Sequence, residues 1–199
     1  MNFAVLASGR GGNLQAIIEA VKAGQITASL KVVISDKKDA YALERARQAG
    51  IPAVYINPKD FSDRGSFDRA IIERLHGSNI DFVVLAGYMR LLSDHFIGQY
   101  PDKILNIHPS LLPDFKGMHA IQEAFDAHVP LTGCTIHIVV KEMDAGPVIR
   151  QALVPIESQD TLESLEVKIH AAEHRLYPAV IEDFAQGKIK VKGNKITGL

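Results

Sequence analysis

Four consecutive apolar residues, Phe82-Val83-Val84-Leu85, present no polar face to water. A strand of this kind is stable where both faces of its sheet are covered, as in parallel sheets flanked by helices. The surrounding sequence repeats the arrangement. Residues 3–6, 30–34, 53–56 and 103–107 are further short apolar runs, and helical patterns separate them. After Asn13, residues Leu14, Ile17, Ile18 and Val21 recur at the spacing of one buried helix stripe. Residues 40–49, closed by Gly50, and residues 67–75 and 93–99 read as further helices. Strands alternating with helices imply right-handed crossovers and a parallel sheet. The predicted class is therefore α/β: a Rossmann-like open, mostly parallel sheet with helices on both faces.

Beyond residue 120 the rhythm changes. Residues 132–140 alternate, with Cys134, Ile136, Ile138 and Val140 on one face and Thr135, His137 and Val139 on the other. A turn at Asp144-Ala145-Gly146-Pro147 leads into residues 148–154, so an antiparallel strand addition is expected in the C-terminal part. Asp160 is expected to N-cap a long helix, with Glu163 completing a capping box. Its stripe runs Leu165, Ile169, Ala172 and Leu176; Pro178 is expected to kink it and Gly187 to end it. Residues 188–191 and 195–197, around Gly193-Asn194, suit a small hairpin. With 199 residues and no linker or repeat, one domain over 1–199 is expected.

Composition narrows the partners. A formal net charge of −1 gives no global attraction to nucleic acid or to an anionic membrane, so any anion site must be local. Cys134 is the sole cysteine, which excludes an intrachain disulfide and reads as a buried, inert thiol. No run approaches the roughly 18 apolar residues of a membrane span. The first six residues lack the basic and long apolar regions of a signal peptide, so a reduced, cytoplasmic setting is expected.

Three segments carry chemistry, and each follows a strand. Asn106-Ile107-His108-Pro109-Ser110-Leu111-Leu112-Pro113 places an amide and an imidazole two residues apart on extended backbone, where they share a face. The first can donate to a developing oxyanion, and the second can also move protons near neutral pH. Ser8-Gly9-Arg10-Gly11-Gly12-Asn13 lies between a strand and a helix, where free N–H groups and the helix dipole favour an anion. Leu14 stands where a dinucleotide fingerprint needs its third glycine, so a single phosphate fits better than a pyrophosphate. Leu85-Ala86-Gly87-Tyr88-Met89-Arg90-Leu91-Leu92 offers an apolar pocket wall with Arg90 near its mouth. In open α/β sheets, ligands bind beyond the carboxyl ends of strands, so one cleft can receive all three segments. Each also has a plain structural reading: a tight turn, a locally satisfied Asn and His, ordinary core. Asp144 reads as a solvated turn residue unless the fold carries it to His108, and His137 as a half-buried strand residue. His170-Ala171-Ala172-Glu173-His174 matches a zinc-peptidase pattern, but only 25 residues follow to supply a third ligand, so no metal is expected.

Taken together, these residues resemble the glycinamide ribonucleotide formyltransferases. The likeness runs through Leu6-Ala7-Ser8-Gly9, Asn13-Leu14-Gln15-Ala16-Ile17, Ala42-Leu43-Glu44-Arg45-Ala46, Leu85 to Arg90 and Asn106 to Pro113. It continues through Phe115-Lys116-Gly117, Gly133 to His137, Met143 to Ile149, and Glu173-His174 with Tyr177-Pro178, covering nearly the whole chain. The resemblance implies formyl transfer from 10-formyltetrahydrofolate, a co-substrate, to the amine of glycinamide ribonucleotide. It assigns that chemistry to Asn106, His108 and Asp144, with Asp144 favouring the imidazolium of His108. It places the ribonucleotide on Gly11, Gly12, Asn13, Gly87, Pro109, His170 and Glu173. It maps the folate onto Arg64, Met89, Arg90, Leu91, Leu92 and Asn106, and onto Val140, Lys141, Glu142, Met143 and Asp144. Residues of about 1–100 would then form a mononucleotide-binding half and about 101–199 a folate-binding and catalytic half. One departure stands out: the family usually has Ser where this chain has Gly12, so a hydroxyl donor is lost while the backbone donor is kept. The partners implied are small molecules, with no nucleic acid and no membrane, in a monomer or homodimer. The alternatives are a formyltetrahydrofolate hydrolase, which would carry an amino-terminal regulatory domain, and a non-catalytic mononucleotide-binding module.

Overall fold

The computed structural model describes residues 1–192 and 195–198. The chain begins with β1 (Asn2–Leu6), α1 (Gly12–Lys22), β2 (Ser29–Ser35), α2 (Tyr41–Gln48) and β3 (Ala53–Tyr55). It continues with α3 (Arg64–Gly77), β4 (Phe82–Leu85), α4 (Asp94–Gln99), β5 (Ile104–His108) and α5 (Ala120–Asp126). Then come β6 (Leu131–Ile138), β7 (Val148–Pro155), α6 (Leu162–Ala185), β8 (Lys190–Lys192) and β9 (Lys195–Thr197). Seven strands form one sheet in the order β3-β2-β1-β4-β5-β6-β7. The first five pair in parallel, β6 runs antiparallel to β5, and β7 antiparallel to β6. The expected α/β sheet with an antiparallel addition is what forms.

Side-chain alternation divides the core between the two faces of the sheet. Phe3 and Val5 of β1 pack with Leu14 and Ile17 of α1 and with Tyr177 and Ile181 of α6. Ala4 and Leu6, pointing the other way, pack with Phe67, Ile71 and Leu75 of α3 and with Phe96 of α4. Each such side chain contributes about 1.5–3 kcal/mol on burial, more than the ~1 kcal/mol of a helix cap, so the two-faced sheet is what holds the helices.

Local chemistry shifts several boundaries. α3 begins at Arg64 because Asp63 and Ser66 form a reciprocal capping box ahead of the apolar stripe. The long helix α6 is capped by Thr161 with Ser164, not by Asp160 with Glu163. Asp160 instead accepts from Ser164 Oγ at 2.8 Å and from Lys168 Nζ at 2.7 Å, which leaves it outside the capping position. α6 is a single helix through Pro178 and closes at Gly187, whose N–H bonds the Phe184 carbonyl while Lys188 N–H bonds that of Asp183. α5 was masked in the sequence by its weak periodicity: only Ala120 and Ala124 are buried. β8 and β9 pair antiparallel, while their expected turn at Gly193-Asn194 lies outside the described residues.

The crossovers leave β1 in one direction through α1 to β2, and return through α3 to β4 on the other side of β1. The loops after β1 and β4 therefore diverge and open a crevice at the switch point. α6 is fastened beneath it. The Tyr177 hydroxyl, fully buried, is shared between the carbonyls of Leu85 (2.9 Å), at the end of β4, and Leu105 (3.0 Å) in the neighbouring β5. Tyr177→Phe leaves both carbonyls without that donor, and is expected to lower the unfolding free energy by about 1–3 kcal/mol in denaturant titration.

Candidate active site

The carboxyl ends of β4 and β5 carry the three chemical segments to one place. Asn106 and His108 lie on β5 opposite His137 and Thr135 of β6. Parallel pairing with β4 on one side and antiparallel pairing with β6 on the other leave both residues near the sheet's centre. His108 is 5% exposed. The segment that follows is held by buried side chains: Thr135 Oγ1 donates to the Ser110 carbonyl at 2.6 Å and accepts from Leu112 N–H at 3.0 Å. Gln151 Nε2 donates to the Leu112 carbonyl at 3.0 Å and to Thr135 Oγ1 at 2.9 Å.

Asp144 reaches this cluster from the loop after β6. Its φ of 50° lies in the left-handed region, which aspartate tolerates better than most residues. Its carboxylate stands 3.5 Å from His108 Nδ1 and 3.6 Å from His137 Nε2, contacts longer than hydrogen bonds, and accepts from Gly117 N–H at 3.0 Å. Asn106 Nδ2 donates to His137 Nε2 at 3.0 Å, and His137 Nδ1 donates to the Ile138 carbonyl at 3.1 Å. His108 Nε2 donates to the Phe115 carbonyl at 2.8 Å. Both ring nitrogens of His108 thus face acceptors. Burial pushes the Asp144 carboxyl up, but His137, the Gly117 amide and the His108 imidazole outweigh it and hold the group below its ordinary value. The sequence reads His137 as a half-buried strand residue; it is fully buried, and the β5–β6 register brings it beside Asn106.

A cavity of about 380 Å³ opens from this cluster. It is lined by every residue expected at the folate position: Arg64, Met89, Arg90, Leu91, Leu92, Asn106, Val140, Lys141, Glu142, Met143 and Asp144. Gly87 and Pro109, with His108, complete the wall shared with the ribonucleotide position. Met89, Leu91 and Met143 are 61%, 57% and 51% exposed, an apolar rim that plain core packing does not explain. Arg90 turns inward, its guanidinium 5.1 Å from the Phe67 ring centroid. Lys141 Nζ reaches Asp94 at 2.7 Å across the mouth.

Gly11, Gly12, Asn13, His170 and Glu173 form a second group at the start of α1. Gly11 takes φ 73°, and its missing Cβ is where Ala42 Cβ of α2 approaches to 2.9 Å. No side chain caps α1, and no acidic residue sits in its first turn, so its leading N–H groups are open to an anion. Asn13 Nδ2 donates to Glu173 Oε2 at 2.9 Å, and His170 Nδ1 donates to the same oxygen at 3.0 Å. That hydrogen bond raises the His170 pKa, against the opposing effect of burial. Asn13 Oδ1 is buried without a partner among the described residues. The two groups adjoin through Ser8, whose N–H donates to the Gly87 carbonyl at 3.0 Å and whose Oγ accepts from Met89 N–H at 2.9 Å. Asp36, at the end of β2, accepts from Ser8 Oγ at 2.6 Å and steadies this junction.

This fold recurs in known proteins. The Formyl transferase family model matches residues 1–181. The chain belongs to the formyl transferase family. It is 43% identical to phosphoribosylglycinamide formyltransferase of Escherichia coli (strain K12) over 194 residues, covering 98% of this chain and 92% of that one. Identity to the enzyme of the same name from Bacillus subtilis (strain 168) is 44%, covering 90% and 92%. The chain also matches the trifunctional purine biosynthetic protein adenosine-3 of Bos taurus at 44% identity, spanning 19% of that protein's length. Among solved structures, glycinamide ribonucleotide transformylase 1 from Symbiobacterium toebii superposes with a TM-score of 0.97 at 46% identity, covering 100% of this chain and 94% of that one. Among the described residues no helix is long and apolar enough to cross a membrane.

The lowered Asp144 pKa fixes the sign of a pH effect. A carboxylate depressed below 3.8 stabilises the fold above its unfolded pKa, and this contribution is lost as pH falls through the folded value. Acid unfolding of Asp144→Asn should accordingly be flatter than that of the parent between about pH 5 and pH 2, measured by circular dichroism.

Proposed function

We propose that this chain transfers the formyl group of 10-formyltetrahydrofolate to the glycinamide amine of 5′-phosphoribosylglycinamide, a step of cytoplasmic de novo purine biosynthesis. One observation carries the reading: a cavity of about 380 Å³ with an exposed apolar rim is lined by Asn106, His108 and Asp144, and Ser8 bonds its Gly87–Met89 wall to the segment that leads into the uncapped start of α1. The family relationship and the names of the relatives above support the same reaction. On this reading the chain is one domain, with the ribonucleotide held by the half of about 1–100, and by Pro109, His170 and Glu173, and the folate largely by the rest.

The nucleophile is the substrate's own amine, so the protein supplies no serine or cysteine. The neutral amine attacks the formyl carbon, forming the new C–N bond and leaving a tetrahedral oxyanion. Asn106 has two amide N–H groups, and His137 engages one, so the other is available to the oxyanion. His108 Nε2–H is the second donor, once substrate oxygen replaces the Phe115 carbonyl as its acceptor. Collapse breaks the bond between the formyl carbon and N10. The proton lost by the amine ends on N10, carried by His108 or by a water that Asp144 holds, so atoms and charge balance. Bringing two substrates together at a shared wall supplies much of the remaining acceleration. Glu173 faces the ribonucleotide from α6, and the free N–H groups of Gly12 and Asn13 receive its phosphate.

An absorbance assay of folate deformylation tests this. Activity should need both substrates, and His108→Ala should reduce turnover by about 10²–10⁴-fold while the far-ultraviolet spectrum is retained. Near-parental turnover in that variant would remove His108 from the chemistry. Deformylation without ribonucleotide would instead indicate hydrolysis.

A further inference from the structure

Among the described residues, both hydrogen bonds that hold Gly87, Tyr88 and Met89 go to Ser8. Its N–H donates to the Gly87 carbonyl at 3.0 Å, and its Oγ accepts from Met89 N–H at 2.9 Å. Gly87, at φ 72°, turns the chain so that these two groups face the same residue. The rest of the segment has little to secure it. A Cβ on Gly87 would meet nothing within 4 Å, the buried Tyr88 hydroxyl has no partner among the described residues, and Met89 is 61% exposed.

Ser8 itself is well anchored. It follows β1, and α2 holds the next two carbonyls: Gly9 accepts from Ala42 N–H at 3.1 Å and Arg10 from Arg45 Nε at 2.9 Å. The Ser8 hydroxyl has one proton, and Met89 N–H occupies a lone pair, so the proton must point elsewhere. Asp36, a buried carboxylate that can only accept, receives it at 2.6 Å. The hydroxyl is thereby fixed with its acceptor side toward Met89.

We propose that Ser8, oriented by Asp36, is a positioning residue that presets the Gly87–Met89 segment for both substrates. The proposal rests on the functional reading, which sets the ribonucleotide against Gly87 and the folate against Met89. Its consequence is thermodynamic. Without the hydroxyl the segment samples other positions, and the first ligand to bind must order it. The second ligand then meets a segment already in place and binds as it does to the parent. The loss is counted once, whichever ligand arrives first. A side chain that merely propped one site would weaken one ligand whether or not the other were present.

Isothermal titration of the full chain tests this with 5′-phosphoribosylglycinamide and tetrahydrofolate, which lacks the formyl group and cannot react. In Ser8→Ala each ligand alone should bind about 3–10-fold more weakly than to the parent, the effect of one hydrogen bond. With the other ligand saturating, the same titration should return the parent's affinity. The coupling between the ligands is then about 3–10-fold greater in Ser8→Ala than in the parent, and equal in both directions. Ser8→Cys, close in size but a weak acceptor, should repeat the pattern, and Ser8→Thr, which keeps the hydroxyl, should restore the parent's values. Weakening of one ligand only, or of both to the same extent with and without the other, would overturn the inference alone. So would unchanged affinities in Ser8→Ala and Ser8→Cys. Failure of the parent to bind either ligand would overturn the functional reading and the inference with it.

Discussion

Asp144 brings a carboxylate into the gap between His108 and His137 with only 10% of its side chain exposed. A charge in that position is costly unless it is compensated, and the surrounding chain is arranged to compensate it. The Gly117 amide donates to one oxygen and His108 faces it, while His137 faces the other. Removing a partner strands the charge; removing the charge leaves the Gly117 amide without its acceptor and the two imidazole edges without the carboxylate they face. The segment from Asn106 to Pro113 and the loop carrying Asp144 are consequently fixed relative to each other, though 36 residues separate His108 from Asp144.

That constraint requires the sheet to change direction where it does. Were β6 parallel to β5, its residues would not pair Asn106 with His137 and His108 with Thr135. The antiparallel return brings His137, Thr135 and, one strand further, Gln151 to the same end as the parallel strands' ligand crevice. Tyr177 then ties α6 to β4 and β5, which sets Glu173, one helical turn earlier, beside Asn13. The polar cluster, the cavity and the uncapped start of α1 are three results of one topology.

Much of this is legible in the sequence, for identifiable reasons. Uninterrupted apolar runs such as residues 82–85 and the stripe from Leu14 to Val21 declare buried strands and helices because burial dominates their energetics. The Asn-x-His-Pro segment and the glycine loop are local in sequence, so their chemistry is visible without the fold. What depends on long-range geometry is not. The place of His137 follows from register, and that of Asp144 from a loop crossing to β5. Thr161 and Asp160 are both competent caps, but Asp160 serves as acceptor for Lys168, the Ser164 hydroxyl and the Glu157 amide. α5 buries two alanines, too small an apolar signal to be read in advance.

The central claim is that a formyl group passes directly between two bound substrates. Carbon-13 nuclear magnetic resonance with a formyl-labelled folate follows that carbon itself. The label should appear only as a formamide on the ribonucleotide, in step with the loss of the folate signal. Label released as free formate, with the ribonucleotide unlabelled, would contradict it.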